Sequence, residues 1–187
     1  HQDLGIEEMI SLLVDDEWLD RENRKLTTRI KKAKFKVPAT LEAVDYQLKR
    51  GLVKTRLMDL STLGWVSRHQ NLLVIGPTGI GKSFLAQALG HHACQKGFAV
   101  HYARLTQLLH QLHLAGADGT YGKILGRLLK YDLLILDDWG VSSLDPQEAK
   151  DLLEVIEDRH EIKSTIVTTQ LSTDHWHEFI GNETIAV

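Results

Sequence analysis

Apolar and polar positions follow one period up to about residue 70 and another beyond it. Within residues 4–19, Ile6, Met9, Ile10, Leu13 and Trp18 recur at roughly helical spacing among the acids Glu7, Glu8, Asp15, Asp16 and Glu17. That pattern predicts an amphipathic helix in need of a partner surface. Over residues 21–36, Leu26, Ile30 and Ala33 form a narrow apolar stripe on a second helical stretch. Pro38 ends that stretch, because a proline disfavours helix at the residue before it. Thr40 can cap a following short helix with Ala43, Leu48 and Leu52 on one face, so residues 37–66 read as a lead-in.

From Asn71 onward, short continuous apolar runs alternate with helical ones. Strands are expected at Leu72–Ile75, Ala99–Ala103, Leu133–Leu136 and Thr165–Thr168. Helices are expected at Phe84–Gln95, ended by Gly97, near 105–114 and 121–130, and over Pro146–Arg159. The segment Ala115-Gly116-Ala117-Asp118-Gly119 reads as the loop between the two middle helices. Strands without polar alternation imply an α/β fold whose parallel sheet is covered by helices on both faces. Residues 1–66 then form a small N-terminal helical region, and residues 67–187 the α/β domain.

Charge changes the picture of the N-terminal region. The chain of 187 residues has a formal net charge of −3, which excludes a uniformly basic protein but not a local basic patch. Eight of its 22 Lys and Arg residues fall within residues 21–36, against the single acid Glu22. On a helix, Arg21, Lys25, Arg29, Lys32 and Lys36 share one stripe, which suits contact with the phosphate backbone of duplex DNA independent of sequence. A solvated charged face on a packed helix explains the same stripe and stays open. The single cysteine, Cys94, precludes an internal disulfide, and no apolar run approaches membrane-spanning length; a soluble cytoplasmic protein is the default expectation. Ten histidines include His110 and His113 one turn apart and His175 near His177, but without the spacing that accompanies a transition-metal site.

The chemistry is concentrated in Gly76-Pro77-Thr78-Gly79-Ile80-Gly81-Lys82-Ser83, a Gly-x-x-x-x-Gly-Lys-Ser P-loop between a strand and a helix. Its glycines permit a backbone that turns successive N–H groups inward as an anion nest, and the next helix adds its positive dipole end. ATP or ADP is therefore the expected ligand of Gly76 through Ser83 and the adjoining Phe84. Lys82 should reach the β- and γ-phosphates and Ser83 should ligate Mg²⁺. The second half of the site follows an apolar strand, whose end carries Asp137 and Asp138. Asp137 is the expected second Mg²⁺ residue, and Asp138 the base that orients or deprotonates the attacking water. Asp138 could instead be a turn residue of Asp-Trp-Gly. Thr168, Thr169 and Gln170, ending the next strand, are placed beside the double acid, with Thr169 and Gln170 the candidates to sense the γ-phosphate or the water, although a Thr-rich strand end also has a plain β-propensity explanation.

With these three motifs in this order, the chain resembles AAA+ ATPases of the DnaA/DnaC clade, and within it the IstB-type transposition helper ATPases of insertion sequences. The resemblance runs from Leu26 to Ala186. It takes in Ala33-Lys34-Phe35, Pro38 to Glu42, Asp45-Tyr46, the P-loop, Asp132 to Gly140, Glu157 to His160, Ser164 to Leu171, Trp176 and Ile180 to Ala186. It implies an AAA+ sheet and a DNA-binding ATPase that forms an ATP-dependent homo-oligomer and recruits or activates a transposase. A DnaC-like helicase loader is the alternative within the clade, and a small-molecule P-loop kinase the alternative outside it. Two departures follow. AAA+ proteins usually carry Asp-Glu where this chain has Asp137-Asp138, which implies slow, switch-like hydrolysis. The resemblance implies a trans-acting arginine on a helix that would follow Val187; Arg159 is an available basic residue for that role, and a helix-end cation is also explained by the helix dipole.

Overall fold

The computed structural model describes residues 6–45, 53–172, 174 and 176. One helix, α1, runs unbroken over Ile6–Ala33 and joins the two stretches expected separately. Glu7 and Glu8 lie in its first turn and Lys31 and Lys32 in its last, each matched to the helix dipole. Its first half keeps Met9, Ile10, Leu13 and Trp18 exposed, so the expected partner surface is not among the described residues. In the second half, Leu26, Ile30 and the buried Ala33 join the core. Lys34 ends the helix in a left-handed conformation (φ 58°). Thr40 is followed by turns rather than a helix, while Leu48 and Leu52 lie outside the described residues. Helices α2 (Lys54–Ser61) and α3 (Gly64–Ser67), unmarked by the apolar pattern, bury Leu57, Trp65 and Val66 in the same core.

The sheet has four strands, β1 (Leu72–Ile75), β2 (Val100–Arg104), β3 (Leu133–Trp139) and β4 (Ser164–Thr169), all parallel in the order β1-β4-β3-β2. Leu133 to Leu136 have no exposed surface, as a central strand covered on both sides requires. One face packs under α1 to α3 and α4 (Lys82–Gln95); the other packs under α5 (Leu105–Asp118), α6 (Tyr121–Leu128) and α7 (Pro146–Arg159). The expected loop at 115–119 is mostly helix. Ala115 is buried against the core, and α5 stops only where Gly119 turns left-handed (φ 73°) and Asp118 accepts the Thr120 N–H. α7 begins at Pro146 behind a reciprocal capping box of Asp145 and Glu148.

Arg159, at the end of α7, is only 2% exposed. Its guanidinium donates to the carbonyls of Leu128 (2.6 Å), Tyr131 (3.1 Å) and Ser164 (2.6 Å) and to the Thr165 hydroxyl. It ties the end of α6 to the start of β4 as a structural cation, and burial lowers its pKa to about 10. A guanidinium enclosed in this way cannot reach a neighbouring subunit.

Candidate nucleotide site

The site forms at the C-terminal edge of the sheet, where open α/β sheets bind ligands. β1 feeds the loop 76–81, which turns through left-handed Gly79 (φ 81°) and Gly81 (φ 98°) into α4. Gly81 is the N-cap of α4, and no side chain caps that end. The first-turn N–H groups of a 14-residue helix are thereby left for a ligand, the arrangement that attracts phosphate. Lys82 Nζ folds back over the loop, donating to the carbonyls of Gly76 (2.7 Å) and Pro77 (2.9 Å). An ammonium held across a glycine nest and an uncapped helix end fit a polyphosphate.

Asp137, 2% exposed, is the hub of the second half. Its carboxylate accepts from Ser83 Oγ at 2.7 Å, from Tyr102 OH at 2.7 Å, and from the Thr168 hydroxyl. Ser83 and Asp137, the residues expected to hold Mg²⁺, are thus in direct contact across α4 and β3. A hydroxyl and a buried carboxylate are hard oxygen donors of the kind Mg²⁺ takes, so the pair fits the ion. Burial, followed by the hydrogen bond to Asp137, pushes the Tyr102 phenol far above its ordinary pKa and keeps it a neutral donor.

Asp138 lies beside this hub because β3 is irregular there. Adjacent residues of a regular strand face opposite sides, so two consecutive acids could not both serve one site. A register shift between Leu136 and Trp139, with Asp138 left-handed at φ 63°, breaks that alternation. Asp138 remains 43% exposed and forms an ion pair with Arg104 Nε at 3.1 Å. Gly140 follows at φ 83°, where a Cβ would come within 2.3 Å of Leu171. The Asp-Trp-Gly segment is therefore a close-packed bulge exit that presents Asp138.

Thr169 needs correction. Its hydroxyl donates to the Trp139 carbonyl and accepts from the Leu171 N–H, and the residue is 1% exposed. It braces the bulge instead of facing a phosphate; Thr168, one position earlier, is the strand-end threonine that meets Asp137. Gln170 is exposed and accepts from Thr78 Oγ1 at 2.6 Å, which joins the end of β4 to the P-loop. Sequence reasoning missed Tyr102 and Arg104. Both lie on β2, whose pairing with β3 sets Arg104 opposite Asp137. Only that register reveals them.

Beside the P-loop, a cavity of about 680 Å³ is lined by Val44, Leu72, Val74, Ile80, Phe84 and Leu85, together with Asp45 and Arg56. Such an apolar hollow with a few polar groups is the usual setting for a planar ligand. Phe84 contributes to this hollow and Ser83 to the contact with Asp137.

The basic stripe of α1 is rearranged relative to its expectation. Arg21 pairs with Glu17 at 2.6 Å and Lys25 with Glu22 at 2.8 Å, while Arg24 lies 3.8 Å from both Glu17 and Asp20. Arg29 is half-buried and faces Glu22 at 4.0 Å. Lys36 lies past the helix end, because Lys34 has already left the helical conformation, so it falls off the stripe. Lys32 is exposed. Acids from the preceding turns compensate the first half of the stripe, which leaves the C-terminal lysines as the part without an ion pair among the described residues. His110 and His113 are exposed on α5, whereas His175 and His177 are outside the described residues. No described helix is long and apolar enough to cross a membrane.

The family model described as IstB-like ATP binding protein matches residues 1–187. The insertion sequence ATP-binding protein y4pL of Sinorhizobium fredii is 45% identical over 185 residues, covering 99% of this chain and 76% of the relative. The IS1162 ATP-binding protein of Pseudomonas fluorescens is 43% identical over 169 residues, covering 90% of this chain and 73% of the relative. Among solved structures, the DnaC helicase loader superposes with a TM-score of 0.65 at 22% identity, over 84% of this chain and 92% of that one. AMPPCP-bound DnaA from Aquifex aeolicus gives 0.70 at 18% identity, over 82% and 48%. At these identities the structural likeness establishes the P-loop AAA+ fold.

Proposed function

The chain belongs to the IstB-like ATP-binding protein family, and from that premise we propose that it is a slow ATPase switch that assembles on duplex DNA and recruits or activates the transposase of an insertion sequence. The observation that carries the reading is the Ser83–Asp137 contact beneath the Lys82-spanned loop, which brings the two halves of a phosphate site together. The insertion-sequence association of the relatives supplies the transposition setting. Likeness to the DnaC helicase loader concerns the fold alone and favours no helicase partner.

In the proposed cycle the purine occupies the hollow lined by Val44 and Phe84, and the phosphates lie along the Gly76–Ser83 loop. Lys82 supplies a positive charge beside the β- and γ-phosphates. Ser83 and Asp137 would hold Mg²⁺, which would supply charge neutralisation at the phosphate oxygens. Asp138 accepts a proton from the attacking water, which requires the carboxylate to exchange part of its Arg104 pairing for that water. Gln170, linked to Thr78, is positioned to report γ-phosphate occupancy to the end of β4. Residues 67–187, completed by Val44, Asp45 and Arg56 of the lead-in, form the nucleotide-holding unit, and the basic helix of residues 1–66 contributes to the surface that ATP-dependent homo-oligomerisation repeats along DNA.

The fate of the γ-phosphate tests the enzymatic part. With ATP and Mg²⁺, inorganic phosphate should accumulate slowly whether or not nucleosides or other small hydroxyl acceptors are added. Transfer of the labelled phosphate to such an acceptor would make the protein a kinase and defeat the proposal.

A further inference from the structure

We propose that the C-terminal end of α1 and the outer face of α6 form one continuous basic surface, wrapped around the β2 edge of the sheet, that seats the phosphate backbone of duplex DNA. This inference rests on the DNA-binding part of the proposed function and relocates the grip away from the first half of α1.

The surface is built from Lys31, Lys32 and Lys34 on one side and Lys123, Arg127 and Lys130 on the other. All six are exposed, and none makes an ion pair within 4.0 Å among the described residues. On α6, Tyr121, Ile124, Leu125 and Leu128 turn to the core, which leaves Gly122, Lys123, Gly126 and Arg127 outside. Space beyond the α carbons of Gly122 and Gly126 is open.

The two groups are far apart in sequence, and two stacked rings join them. Tyr131, which directly follows Lys130, stacks on His101 of β2 with ring centroids 4.8 Å apart. His101 lies on β2, against which α1 packs, and burial lowers its pKa to about 4, with the charges of Lys34 and, more weakly, Arg127 acting in the same direction. Because β2 is an edge strand and α1 packs across it, the cations of α1 and of α6, on opposite faces of the sheet, flank the same edge.

Composition selects the occupant. Protein interfaces are depleted in lysine and centred on aromatic and apolar anchors. This surface is five lysines and one arginine with no exposed apolar anchor between them, the composition of a phosphate-backbone contact. The glycines of α6 are poor helix formers, yet they leave the strip between the cations free of side chains that would hold a backbone away. Lysines supply point charges and not the bidentate geometry that reads bases, so binding is sequence-independent.

The test uses the full chain with ATP and Mg²⁺ and a short duplex of random sequence, titrated across salt. Two variants are compared with the parent: Lys123→Gln/Arg127→Gln/Lys130→Gln and Lys31→Gln/Lys32→Gln/Lys34→Gln. Each should weaken DNA binding at least ~10-fold and reduce the log–log salt slope by about 2–3, since each lost phosphate contact removes about 0.9. Nucleotide affinity and melting temperature should stay at parental values. A variant of the α6 trio with parental affinity and slope, beside a weakened α1 variant, would overturn the inference while leaving DNA binding itself intact. A parent protein that ignores duplex at every salt concentration would sink the DNA-binding reading and this surface together. Polyglutamate held as tightly as the duplex, and lost in both variants, would reassign the surface to an acidic polypeptide.

Discussion

Lys82→Ala is expected to abolish useful nucleotide binding. In the fold, the Lys82 ammonium is held over the loop by the Gly76 and Pro77 carbonyls at 2.7 and 2.9 Å. It is a half-buried point charge over a cradle of backbone N–H groups, so phosphates meet it with little reorganisation. Hydrogen bonds to charged groups are worth about 1.5–3 kcal/mol each, and loss of two such contacts removes about 3–6 kcal/mol. Affinity for ATP–Mg²⁺ should therefore fall by about 10²–10⁴-fold. Calorimetric titration of the folded variant checks this, and parental affinity would remove Lys82 from the site.

Asp138→Asn should separate hydrolysis from binding. The amide keeps the shape of the side chain in its bulge but cannot accept the water's proton. Turnover should drop by about 10²-fold or more, the scale of a lost general base, while ATP affinity stays within a few-fold. Asp137→Asn should behave differently. Its carboxylate accepts from the hydroxyls of Ser83, Tyr102 and Thr168, and an amide can accept at only one of its two ends. At least one hydroxyl loses its acceptor and the Ser83–Asp137 pair loses its charge, so Mg²⁺-dependent binding should weaken. Single-turnover hydrolysis alongside equilibrium binding distinguishes the two variants. Normal turnover by Asp138→Asn would return that residue to a turn role.

The legible features of the sequence were those encoded locally. Leu133 to Leu136 announce a doubly covered strand by composition alone, and the P-loop carries its own spacing and context. Asp145-Pro146 followed by Glu148 marks the start of α7, since capping chemistry sits within one turn. Features set by strand register or by tertiary contact were hidden. Whether Thr168 or Thr169 meets Asp137 depends on how β4 pairs with β3, which a bulge disturbs. Arg104 is a strand-end residue until β2 places it opposite the double acid. Ala115 to Asp118 contain a glycine and a helix-poor Asp and read as loop, yet burial of Ala115 extends α5 through them. Lys36 fits a helical stripe by spacing, but Lys34 turns the chain out of the helix two residues earlier. The joining of α1 to α6 through His101 and Tyr131 has no local signature at all.

The central claim is that nucleotide state controls assembly on DNA: the P-loop senses ATP, and assembly multiplies weak backbone contacts from many subunits. Sedimentation velocity with labelled duplex DNA tests it most directly, with ATP–Mg²⁺, ADP or no nucleotide, and with Lys82→Ala beside the parent. The account predicts large multi-subunit complexes on DNA with the parent and ATP alone, and only weak, low-mass association in every other mixture. Equal DNA-bound mass with and without ATP, or full assembly by Lys82→Ala, would contradict it.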